Sequence, residues 1–110
     1  MNLIGKKAIV RAVVAGVHAG IVESLDAATQ TITLTDACRL WRVYTRDTTG
    51  SISDIAAHGL KPDADHSIGA RLASVTIVEP KGFEIAEMTD SAYESVLDHA
   101  HKVDIYQDIS

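Results

Sequence analysis

Two short stretches hold the residues best suited to chemistry. Ala15-Gly16-Val17-His18-Ala19-Gly20 sets one imidazole between two glycines, where backbone can come close to a bound group. Ala37-Cys38-Arg39-Leu40-Trp41-Arg42-Val43-Tyr44 packs two guanidiniums and two of the chain's five aromatic rings into eight residues. Glycine amides, planar arginine forks and aromatic faces are the groups that hold a phosphate-bearing nucleotide. The first stretch is not a dinucleotide fingerprint, because no helix follows it.

Spacing divides the second stretch. Arg39 and Arg42 are three apart in a predicted strand, so they face opposite sides of a flat sheet. Arg39 shares a face with Trp41, and that pair is the leading candidate for ligand contact. Arg42 faces the other way with Leu40 and Tyr44, suited to a second site or a subunit contact. On a purely structural reading, Trp41 is core and Arg39 covers its edge. His18 suits a donor to phosphate or ribose, and equally a turn-side histidine with satisfied nitrogens. It has no partners at metal-ligand spacing, and no nucleophile or orienting carboxylate for base catalysis. His99 and His101, two apart on a helix, do not form a metal pair. Cys38 reads as a small packed side chain.

The elements that must carry these residues follow from periodicity. Lys6 to Val14 predicts a strand with Lys7, Ile9, Arg11 and Val13 on one face. Val17 to Leu25 predicts a second, with Val17, Ala19, Ile21 and Glu23 on one side, paired to the first as a hairpin. Asp26 opens a turn, and Gln30 to Thr35 alternates as a half-buried strand. Cys38 to Thr45 predicts a fourth strand, and Thr48-Thr49-Gly50 breaks the pattern. A helix then starts at Ser51, three before Asp54, buries Ile52, Ile55 and Ala56, and stops at Gly59. Ser67 to Glu79 and Phe83 to Met88 predict strands about a Pro80-Lys81-Gly82 turn. Thr89 caps a last helix from Asp90 to about Lys102, with Tyr93, Val96, Leu97 and Ala100 inward. The fold class is α+β: a bent antiparallel sheet of about five to six strands with two helices.

A length of 110 residues predicts one domain with a modest core. Residues 1–50 hold six Lys/Arg against four Asp/Glu, whereas residues 51–110 hold four against eleven. The acidic whole argues against a coat for long nucleic acid, while the basic front half can hold a small anion. No apolar run approaches the ~20 residues of a membrane span. The opening residues lack a signal-peptide layout, and one cysteine allows no intrachain disulfide, so a cytoplasmic location is expected.

These motifs resemble one family, the phage anti-Thoeris sponge proteins that sequester cyclic ADP-ribose isomers. The family pattern is a strand ending near Ser-Ala-Gly-Val-His-x-Gly, a hairpin, an Ala-Arg-Arg-Ile-Trp segment, and a short helix ending in Gly. This chain offers Ala15 to Gly20, Ala37 to Trp41, and Ile52 to Gly59. Val75 to Pro80 and Phe83 to Ile85 resemble the family's distal strands, so the resemblance covers roughly residues 5–96. The chain departs from the pattern at Cys38, where the family carries the first Arg of a pair, and at Arg42-Val43, where an aromatic would recur. The resemblance implies sequestration of a cyclic ADP-ribose isomer without a reaction, no cofactor, and homo-oligomers, dimer or hexamer, some of which also hold cyclic oligonucleotides. The ligand residues it and the chemistry imply are Arg11, Gly16, His18, Gly20, Arg39, Trp41 and Arg42. Gly20 is expected to let the backbone approach the pyrophosphate, and Gly16 to be mainly a turn residue. Two other classes stay open: an interaction β-domain without a nucleotide, and a small signal-degrading hydrolase.

Overall fold

The computed structural model describes residues 2–45 and 51–109, with residues 101–109 as backbone alone. Three strands make its frame: β1 (Lys7–Ala12), β2 (Gly16–Asp26) and β3 (Thr31–Arg42). β1 and β2 form the expected antiparallel hairpin, running from Lys7 opposite Ile21 to Ala12 opposite Gly16. Asp26 makes its turn by accepting the Ala28 N–H at 3.0 Å. After β3 come α1 (Ile52–His58), β4 (Ser67–Ile68), β5 (Leu72–Val78), β6 (Phe83–Glu87) and α2 (Asp90–Ile109). The sheet order is β4-β3-β2-β1-β6, with β5 also paired to β3, and every pairing is antiparallel. This is the α+β class expected from the sequence.

Three boundaries differ from expectation. The runs expected from Gln30 to Thr35 and from Cys38 to Thr45 form one strand, β3, not two, and it starts at Thr31 and ends at Arg42. Asp36, at φ 49°, is the extra residue between them. Such a bulge shifts the alternation of side chains by one position without breaking the pairing. Ile32, Leu34 and Ala37 therefore share one core, while Cys38 and Leu40 enter another. The run from Ser67 to Glu79 is two pieces, β4 and β5, split at residues 69–71. Each takes a different half of the β3 edge. The last helix runs on to Ile109 rather than stopping near Lys102. The expected break at Thr48-Thr49-Gly50 lies outside the described residues.

The sheet carries a core on each face. On one face Ile9, Ala19, Cys38 and Leu40 pack against Ile55 and Ala56 of α1 and Ala92, Tyr93, Val96 and Leu97 of α2. On the other, Ala8, Val10 and Val22 pack with Ile32, Leu34, Ala37 and Ile77. β1 is consequently buried on both faces over most of its length. The helices are held at their starts by the residues the sequence marks. Ser51 Oγ accepts the Asp54 N–H at 3.2 Å, and Thr89 Oγ1 accepts the Ala92 N–H at 3.1 Å. Tyr93 then reaches from α2 to the bulge and donates its hydroxyl to the Asp36 carbonyl at 2.6 Å.

Candidate functional site

The site lies near the ends of β2 and β3, on the face turned away from the helices. Register places His18 opposite Arg39 on one side and opposite Val10 on the other. Val10 stands in turn opposite Ile85 of β6. Alternation along each strand adds Gly16 and Trp41 to this face. The two motifs, some twenty residues apart in the chain, thus meet across one strand pair (the sequence pairs them only by resemblance).

The Arg39 guanidinium carbon lies 3.7 Å from the centroid of the Trp41 ring system. A cation at this range over an aromatic face contributes about 0.5–2 kcal/mol, more as water is excluded. The same guanidinium rests on Gly16, where an added Cβ would stand 2.9 Å from Nη2 and 3.2 Å from Nε. Gly16 also has φ 81°. It is both the turn residue that the sequence suggests and the seat of the arginine. Beyond β3, the Gly69 N–H donates to the Arg39 carbonyl at 2.7 Å. Trp41 as a residue remains 64% exposed. Arginine holds the indole in place while most of it stays open to a second flat ring.

Electrostatics single out the same pair. His18 Nδ1 and Arg39 Nε are buried without hydrogen-bond partners, the only such side-chain atoms among the described residues. A buried unsatisfied polar group costs about 1–3 kcal/mol. In a native structure it calls for an explanation such as a bound group. Burial, and secondarily the Arg39 charge, push His18 below the usual histidine value of 6.5. At neutral pH the site is a neutral imidazole beside a permanent cation. The ion pairs among the described residues, Lys7–Asp90, Arg11–Glu84 and Arg71–Asp36, leave Arg39 without a carboxylate. Such a set can bind an anion and stack a planar ring. Among the described residues no cluster of three or more His, Cys, Asp or Glu could hold a metal.

The remaining candidates are placed as follows. Arg11 falls on the helix-side face, opposite Val17 and Glu84, and its guanidinium is ion-paired to Glu84. It does not join Arg39, because His18 and Arg11 occupy adjacent rows that alternate between faces. Arg11 does line a groove of about 620 Å³ that also reaches Gly16, Lys81 and Phe83. That volume is within the range of small-molecule sites. Between Leu40 and Arg42 a register shift interrupts the alternation, so spacing alone does not fix the face of Arg42. Arg42 lines a cleft of about 330 Å³ with Val17, Trp41, Tyr44 and Ile55. Gly20 is corrected. It is buried, and a Cβ there would meet the Ala37 and Leu34 Cβ atoms at 2.9 and 3.0 Å. Glycine is needed at that position because β3 crowds β2 beside the Asp36 bulge, so Gly20 is packing and not a ligand contact. Sequence reasoning missed Lys81, Phe83 and Gly69. Gly69 had one signal, a glycine inside an extended run, and the two groove residues had none.

The fold and site together define a small α+β domain with an unpaired arginine stacked on an exposed tryptophan. Residues 5–96 match the model of a domain family of unknown function (DUF6948), and the chain belongs to that family. No curated protein and no solved structure matches it. No helix among the described residues is long and apolar enough to cross a membrane.

Proposed function

We propose that the protein binds a small phosphate-bearing nucleotide of the cyclic ADP-ribose type and holds it unaltered. A defence signal captured in this way would not reach its effector. The observation that carries the reading is the Arg39–Trp41 stack with His18 at its side, a cation and a flat ring without a described carboxylate to occupy them. Arginine and backbone N–H groups can replace the water of a pyrophosphate, and the open indole face can take the adenine. The groove beside Gly16 gives the ribose and second phosphate room, with Lys81 on its wall. The choice of cyclic ADP-ribose within the nucleotide class rests on the resemblance of residues 15–20 and 37–41 to the anti-Thoeris sponges. The same resemblance supports homo-oligomers and a cytoplasmic location in a host cell.

The test is incubation with a cyclic ADP-ribose isomer, filtration, and heat denaturation of the protein. Depletion of free ligand and its release intact support a sponge. An altered product points to a hydrolase, and no depletion to an interaction domain.

A further inference from the structure

We propose that His18 takes up one proton when an anion is captured at Arg39, so that ligand binding at this site is proton-linked. The proposal rests on the nucleotide-site reading above and specifies how that site is regulated.

Geometry carries it. His18 and Arg39 are direct cross-strand neighbours on one face, His18 is 8% exposed, and its Nδ1 has no hydrogen-bond partner. A proton on that nitrogen in the free protein would lack an acceptor and would face a guanidinium. An anionic oxygen drawn to Arg39 supplies an opposite charge beside the ring, which favours the protonated imidazole. The low proton affinity of His18 in the free state agrees with this picture, since burial and Arg39 are its causes.

Other groups around the imidazole do not compete for the proton. β1 presents Val10 at its register and β6 presents Ile85, both apolar. Gly16 and Gly20 flank it on its own strand. Beyond the end of β5, the Glu79 carboxylate is held by the Val14 N–H at 3.1 Å. On β3, the Asp36 carboxylate is taken by Arg71. The Arg11–Glu84 and Lys7–Asp90 pairs lie on the opposite face. Arg39 is thus the charge to which His18 responds, and cancelling that charge is what a bound anion does.

Linkage is reciprocal: the factor by which the anion raises the proton affinity of His18 is the factor by which protonation raises anion affinity. Free His18 is neutral at pH 7, so affinity rises as pH falls. The rise begins near the proton affinity of the bound state and levels off below that of the free state. No bond is made or broken other than the N–H, whose proton comes from solvent.

The experiment is calorimetric titration with cyclic ADP-ribose from about pH 5 to about pH 8, in buffers of different ionisation enthalpy. The expected result is uptake of a fraction of a proton up to one, with affinity rising by at most about tenfold per pH unit. His18→Gln should bind more weakly and lose the pH slope, the ligand's own protons cancelling in the comparison. In case that variant folds poorly, imidazole NMR of the unmodified protein follows the His18 titration directly with and without ligand, and a rise on binding is expected. Binding with no proton uptake, or with an unmoved His18 titration, overturns the linkage and leaves the nucleotide site standing. Absence of binding at every pH overturns both.

Discussion

At the scale of single residues, Arg39 does two jobs that most arginines divide between them. It stacks on Trp41 and presents an unpaired positive charge. Arg39→Ala is expected to weaken cyclic ADP-ribose binding by about 1.5–3 kcal/mol, the range for a charged hydrogen bond, and calorimetry reads the loss directly. The two glycines should separate cleanly. Gly20→Ala overpacks β2 against Ala37 and Leu34 and should cost about 1–3 kcal/mol of stability, with normal affinity in the folded fraction. Gly16→Ala strains a positive φ and also displaces the guanidinium, so melting temperature and affinity should both fall. His18 adds a pH dependence to the free protein. Its lowered proton affinity means that the unfolded chain binds more protons below pH 6.5, so the stability it contributes is present above 6.5 and lost as pH falls. Denaturant midpoints measured across that window should decline toward acid, and His18→Gln should flatten the decline.

At the scale of elements, the bulge at Asp36 decides which side chains can meet. Were Asp36 to take its place in a regular two-residue alternation instead of bulging, Arg39 and Trp41 would share the phase of Thr33 and Thr35 rather than that of Ile32 and Leu34, and His18 would lose its neighbour. Tyr93 fixes the bulge by its hydroxyl, and Arg71 by its guanidinium. Tyr93→Phe leaves a carbonyl without its donor and should lower stability by about 1–3 kcal/mol in chemical denaturation. Affinity should also fall if the strand slips. The helices were legible because Ser51, Gly59 and Thr89 mark their limits and Ile55, Tyr93 and Val96 recur on one stripe. The hairpin was legible because Gly16 follows a short turn. The continuity of β3 was not, because a bulge looks like a strand break to a two-residue period. The same limit applied to the site. Alternation put Arg39 with Trp41 and Arg42 on the other side, but Arg11 could be set apart from Arg39 only once register placed it opposite Val17. Gly20 was misread because crowding between strands leaves no trace in either strand's own residues.

At the scale of the whole molecule, the sheet leaves the outer edges of β5 and β6 unpaired among the described residues. Exposed Val13 and Val14 tip the hairpin between β1 and β2. Unpaired edges and exposed apolar tips invite association. Together with the family resemblance, they lead to an expected light-scattering mass of a multiple of the 11.8 kDa chain at micromolar concentration. A mass near one chain would remove the oligomer from the account. The claim that matters most is that the Arg39–Trp41–His18 site captures a nucleotide signal and returns it unchanged. The most direct measurement is recovery of cyclic ADP-ribose from the protein after heat denaturation, with the Arg39→Ala variant alongside. The account predicts depletion of free ligand by the unmodified protein, recovery of the intact molecule on heating, and weak depletion by the variant. An undepleted solution, a converted product, or equal capture by both proteins would contradict it.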